Sequence, residues 1–90
     1  MEYRKIIGNR LRQLCKKRQL SIHEFSEMCG VSQSTLNNIA NGGSENPKLK
    51  TIHKIAIGFC MTISEFLNFQ ELDDYSFEDE KDKKDENSKN

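Results

Sequence analysis

Helix-start signals punctuate this chain so closely that only short helices fit between them, and no other feature constrains the fold as tightly. Ser21 stands three residues before Glu24, and Thr62 three before Glu65. In such a pair the hydroxyl accepts from an N-terminal amide while the carboxylate reaches back to the capping residue's own N–H, which is a capping box. Ser32 is a third N-cap, and Gly30 supplies a left-handed helix end. Pro47 fits the first turn of a helix, where its missing N–H costs nothing. Asn41-Gly42-Gly43 closes one segment and opens a loop. Five helices follow, beginning near Tyr3, Ser21, Ser32, Pro47 and Thr62. Apolar residues at helical spacing mark their inner faces: Ile7, Leu11 and Leu14 in line with Arg18; Phe25 and Met28; Leu36 and Ile39, joined by Val31; Leu49, Ile52, Ile55, Ala56 and Phe59; and Ile63, Phe66 and Leu67. A single proline and no alternation of β-branched with polar residues exclude a sandwich or barrel. The expected fold is all-α, a compact five-helix domain.

Charge divides the chain in two. Residues 1–70 carry ten basic and five acidic side chains, a net +5, whereas residues 71–90 carry four basic and nine acidic ones, a net −5. The formal zero of the whole chain conceals this. We therefore read residues 1–70 as the domain and residues 71–90 as an acidic tail. No hydrophobic residue follows Phe77, so the last dozen positions cannot bury enough apolar surface to offset their ordering entropy and are expected to be disordered. Residues 72–77 either dock on the body or extend helix five.

A basic body calls for a polyanionic partner. Helices two and three are short and joined by a tight turn at Gly30-Val31, the layout of a helix-turn-helix whose second helix enters the major groove. With Leu36 and Ile39 turned inward, Gln33, Ser34, Asn37, Asn38 and Asn41 fall on the outer face. That face has no carboxylate to repel phosphate, and its amides can both donate and accept, as an adenine edge requires. Amide-rich faces also occur on proteins that bind nothing; the turn spacing and the basic body favour the DNA reading. Double-stranded DNA is the expected partner.

From about Ile7 to Leu67 the chain resembles the Cro- and phage-repressor-type, or Xre-like, helix-turn-helix family. The resemblance rests on Arg10-Leu11-Arg12 with Leu14 and Arg18, Leu20-Ser21, the run Gly30 to Leu36, Ile39, Asn41-Gly42, Pro47, Ile55-Ala56 and Glu65-Phe66-Leu67. It implies a transcriptional regulator, most simply a repressor, that binds operator DNA as a homodimer. It also implies that Gln33, Ser34, Asn37 and Asn38 contact bases and that Ser21, Asn41 and Lys48 contact the DNA backbone; Ser32, at the start of helix three, is placed with them. The other cations of helix one either add steering or form a solvated face. Where relatives carry an arginine and glutamate ion pair behind the recognition helix, this chain has Cys15 and Ala40, a neutral replacement. Gly43 replaces a frequent basic residue after Asn-Gly, and Cys60 a glycine after helix four. Ile57 stands where a polar residue is usual. It is either a lone surface isoleucine or part of a subunit contact that Phe69 and the Leu72 region would enlarge.

Other classes fare worse. Cys15, Cys29 and Cys60 are odd in number and form no C-x-x-C pair, and neither histidine stands at a metal-ligand spacing from them, so no metal or cofactor is expected. No titratable pair forms a plausible catalytic arrangement, so an enzyme is not expected. The longest apolar run, Ile55 to Met61, is far short of the roughly 20 residues that span a bilayer, and no apolar stretch follows the N-terminal charges. A cytoplasmic location is expected. The competing reading is a protein-interaction module or an antitoxin, whose acidic tail would fold onto a protein partner.

Overall fold

The computed structural model describes residues 2–80 and contains no strand among them. Helices run α1 (Tyr3–Lys17), α2 (Ile22–Cys29), α3 (Gln33–Ala40), α4 (Leu49–Gly58) and α5 (Ile63–Leu67). A sixth, single-turn helix α6 (Gln70–Asp73) and a 3₁₀ turn at Phe77–Glu80 follow. The expectation of disorder at the end of the tail falls on residues 79–90, of which 81–90 lie outside the described residues.

Both capping boxes form. Ser21 Oγ accepts from Glu24 N at 3.0 Å and Glu24 Oε1 accepts from Ser21 N at 2.8 Å, with the same two distances at Thr62 and Glu65. Ser32 Oγ accepts from Thr35 N at 3.1 Å. Gly30 caps α2 at φ +73°, a conformation that side chains with a Cβ rarely adopt. Three helices end in one pattern, with the second residue past the cap donating back to the third-last helical carbonyl: Leu20 N to Cys15 O in α1, Gly43 N to Asn38 O in α3, Met61 N to Ala56 O in α4. The residue between takes a positive φ in each case, and it is Gln19, Gly42 and Cys60 respectively. Cys60, standing where a glycine is usual, still adopts φ +62° despite its Cβ. Returning two amides to the helix end outweighs a left-handed cost of about 1–2 kcal/mol.

The core is built on three phenylalanines from three elements. Phe25 and Phe59 stack with centroids 4.0 Å apart, and Phe59 and Phe66 lie nearly parallel at 6.3 Å. Leu11, Leu36 and Ile55 are buried with them. At Gly8 the backbones of α1 and α3 approach so closely that a Cβ would sit 2.4 Å from the Ile39 carbonyl oxygen.

Several inner-face assignments need correcting. On α1 the deeply buried isoleucine is Ile6, with Ile7 only packed against the edge of the core. Met28 is 54% exposed and Cys29 lies against the core instead, because it meets α4 at Gly58, where a Cβ would come within 2.5 Å of the cysteine. Leu49 is 69% exposed. The first turn of α4 runs past the edge of the core, and there Leu49 lines a shallow hollow with Ile7, Ile52, Leu67 and Leu72. Pro47 is outside α4, since Lys48 is the N-cap.

Arg10 and Arg12 of α1, with Arg18 at its C-cap, tie down the C-terminal ends of α3, α4 and α5. Arg12 Nε donates to Ala40 O of α3 at 2.8 Å. Arg18 Nη1 donates to Phe59 O at the end of α4 at 2.7 Å. Arg10 donates to Phe66 O at 2.9 Å and Glu65 O at 3.1 Å in α5. Each cation thus meets carbonyls at the negative end of a helix dipole, and Glu65 O is shared with the cap amide of Asn68 at 3.2 Å.

After α5 the chain turns back onto α1. Tyr75 and Phe77 pack on Tyr3, with centroids 5.0 and 5.4 Å away. The segment around Leu72 therefore docks on the body through a helix of its own.

Candidate nucleic-acid interface

Residues 30–32 join α2 to α3, two helices of eight residues each. Leu36 and Ile39 anchor α3 in the core, with Val31 buried beside them. This orientation is dictated by the sequence: burying the apolar pair leaves Gln33, Ser34, Asn37 and Asn38 no face but the outer one. All four are exposed.

Their states differ. Ser34 and Asn37 make no side-chain hydrogen bond among the described residues, so their full donor and acceptor capacity faces outward. Gln33 Oε1 lies 3.0 Å from Nδ1 of His23 on α2. Asn38 is turned toward the following loop, where a Cβ on Gly43 would lie only 2.2 Å from its Oδ1. A side chain at position 43 would require the Asn38 amide to turn aside.

The backbone-contact candidates also separate. The Ser21 hydroxyl oxygen accepts the cap bond, which leaves its O–H to donate outward. Ser32 is spent within the protein, since its oxygen caps α3 and its O–H donates to Thr35 Oγ1 at 2.9 Å. Asn41 Oδ1 accepts from Arg12 Nη2, which turns the amide N–H groups of Asn41 away from the body. Lys48 is exposed at the N-cap of α4, and Lys50 follows in a first turn that holds no acidic residue. Cations there oppose the helix dipole, an arrangement that favours an anion between them.

Charge on the surface is redistributed relative to expectation. Arg10, Arg12 and Arg18, which were candidates for steering or a solvated face, are engaged by helix ends. Arg4 Nε pairs with Glu2 Oε1 at 3.3 Å, and His23 Nε2 lies 3.5 Å from Glu27 Oε2. Lys16, Lys17, Lys48 and Lys50 remain exposed and take part in neither. The contacts that the arginines and His23 make were missed. Neither is marked by local spacing, although three arginines on one helix without acidic neighbours at i+4 hinted that their partners lay elsewhere.

Cys15 and Ala40 both lie in the core, and the contact of α1 with the end of α3 is made by Arg12 instead of an ion pair. Burial pushes the Cys15 and Cys29 thiols up, which keeps both protonated and poor as nucleophiles. Ile57 is 63% exposed, whereas Phe69 lies under the Arg10 guanidinium at 4.9 Å and Leu72 lines the hollow described above. No helix among the described residues is long and apolar enough to cross a membrane.

Comparison with known proteins gives a consistent picture. The HTH_3 family model, described as helix-turn-helix, matches residues 11–68. The chain is 28% identical over 70 residues to the HTH-type transcriptional regulator SinR of Bacillus licheniformis, covering 78% of this chain and 63% of that protein. It is 37% identical over 49 residues to an uncharacterized HTH-type transcriptional regulator, RghRB, of Bacillus subtilis (strain 168), covering 54% of this chain and 35% of that one. A crystal structure of an HTH_3 family transcriptional regulator from Vibrio cholerae superimposes with a TM-score of 0.66 and 35% identity, over 72% of this chain and 36% of the other. The chain thus spans less than two thirds of the length of each.

Proposed function

Because the chain belongs to the HTH_3 helix-turn-helix family, we propose that it is a sequence-specific regulator of transcription, a repressor that reads the major groove of operator DNA with α3. The observation that carries this reading is the outer face of α3. It is exposed and uncharged, supplied with amides and a hydroxyl, and held rigidly from behind by Leu36, Ile39 and Arg12. Gln33, Ser34, Asn37 and Asn38 select bases. Ser21 and Asn41 donate to phosphate, and Lys48 neutralises one. Ser32 acts through its cap, holding the first amides of α3 toward the backbone. The regulator binds as a homodimer to half-sites about 34 Å apart, and Ile57 belongs to the surface between subunits. Blocking a promoter in this way needs no cofactor and places the protein in the cytoplasm.

Footprinting on a selected operator tests this. Gln33→Ala and Asn37→Ala should each weaken binding and flatten base preference, each mismatch normally costing about 1–3 kcal/mol. Unchanged site preference in both variants would remove α3 as the reading element.

A second reading, a protein partner bound by the acidic residues 71–90 as in an antitoxin, draws on the aromatic contact that holds Tyr75 and Phe77 to Tyr3. Arg4 and Lys5 follow Tyr3 and lie beside Gly42 at the end of α3. Acidic residues joined to this anchor are well placed to compete with phosphate. Deleting residues 71–90 separates the ideas. Tighter DNA binding at low salt indicates a tail that masks the basic face, and loss of a protein complex formed by the full chain indicates a docking tail.

A further inference from the structure

We propose that Arg12 is a positioning residue for Asn41, and that the two make the C-terminal end of α3 a seat for one phosphate of the DNA backbone. The inference rests on the groove-reading role of α3 argued above. Arg12 differs from the other two arginines in what it holds. Arg10 and Arg18 donate to main-chain carbonyls. Arg12 donates through Nε to Ala40 O at 2.8 Å and through Nη2 to the side chain of Asn41, the residue that caps α3. Both Arg12 and Asn41 are exposed, so the grip is made at the surface.

The direction of the Asn41 amide follows from its donor. A guanidinium donates, does not accept, and keeps its charge in a protein, so the atom it meets has to be Oδ1. The Nδ2 hydrogens are then aimed away from Arg12. One turn earlier on the same helix face stands the exposed Asn37. Asn41 therefore continues the reading face to the wall of the groove, where the acceptors are phosphate oxygens. An untethered carboxamide would also present its oxygen, which repels phosphate. Arg12 removes that unproductive orientation before DNA arrives, so the contact costs less ordering.

The end of a helix is otherwise a poor place for an anion. It carries about half a negative charge, concentrated on its last carbonyls. In α3 these carbonyls are all occupied. Asn37 O accepts from Asn41 N at 2.9 Å, Asn38 O from Gly43 N at 2.8 Å and Ile39 O from Gly42 N at 3.1 Å. Ala40 O is left for Arg12, whose charge offsets the dipole at the same point. The stem of Lys5 runs beside this end, since a Cβ on Gly42 would lie 3.1 Å from its Cγ, and it brings a second cation. No residue of α3 is acidic to oppose them.

Interference mapping tests this, using the full chain and a duplex it selects from a random pool. Each backbone phosphate is replaced in turn by an uncharged methylphosphonate. In the wild type one such replacement in each half-site should weaken binding by about tenfold and have no effect in Asn41→Ala. The same replacement should lose its effect in Arg12→Met, with base preference along the half-site unchanged. An arginine that only braced the fold would instead blur base preference as α3 shifted, and leave the phosphate pattern as it was. Arg12→Met with Asn41→Ala should bind no more than about twofold weaker than Asn41→Ala alone, because the two changes remove one contact. Arg12→Lys keeps the charge and a donor for Ala40 O but lacks the planar fork, so it should fold and still lose the phosphate effect. It carries the comparison if Arg12→Met is too unstable to assay. A wild-type phosphate pattern in the Arg12 variants would overturn the proposal, as would fully additive losses in the double variant. Selection of no duplex by the wild type would overturn the role of α3 and this inference with it.

Discussion

Phe25, Phe59 and Phe66 are wholly buried and lie nearly parallel, with successive centroids 4.0 and 6.3 Å apart. Tyr3, Tyr75 and Phe77 meet at 5.0–5.4 Å, tilted or edge-on, and Phe77 is 64% exposed. The ring separations of the outer trio fall between the two of the inner one, so distance alone does not rank them. Burial separates them. The inner trio joins α2, the end of α4 and α5, and its rings carry no polar tip that must be satisfied. The outer trio keeps its hydroxyl-bearing rings near water and fastens the acidic segment to α1. The free energy of an aromatic cluster follows the area it removes from water, with the ring–ring contact adding about 0.5–1.5 kcal/mol.

The largest test of this contrast is Phe59→Ala, which should cost about 3–5 kcal/mol in chemical denaturation and leave little folded protein. A loss under about 1 kcal/mol would show that the inner trio is not the keystone we describe. Next comes Arg18→Met. Arg18 lies over the Phe59 ring at 5.4 Å and donates to its carbonyl, so removing the guanidinium should cost about 1–2 kcal/mol, with the shape of the side chain largely kept. Smallest is Tyr3→Ala, expected to cost about 1 kcal/mol or less in thermal unfolding. If Tyr3→Ala matched Phe59→Ala, the distinction between core and tether would fail.

The parts of the fold that were legible in the sequence are those written in neighbouring residues. The capping boxes at Ser21 and Thr62, the Ser32 cap and the left-handed Gly30 each depend on atoms within three or four positions, and all are found as read. The outer face of α3 was legible because eight residues with two anchors leave one choice of orientation. Side-chain stripes were less certain for a physical reason: neighbours three and four apart both lie near the same face, so Met28 and Cys29 were equal candidates until α4 presented Gly58 to one of them. Ile6 and Ile7 posed the same ambiguity on α1. Pro47 suits either side of a helix boundary, and Lys48 took the cap. Least legible were interactions between distant segments. Nothing near Arg12 signals Ala40, and nothing near His23 signals Gln33, ten residues on. Such contacts are set by how the helices dock, which no local pattern encodes.

The reach of the α1 arginines also bears on how the polypeptide is born. Arg12, Arg18 and Arg10 hold carbonyls that lie 28, 41 and 56 positions downstream. A ribosome delivers domains from the N-terminal end at about 5–20 residues per second. These arginines therefore wait several seconds for the last oxygen they will grip, and the domain cannot lock into shape until Phe66 has cleared the exit tunnel.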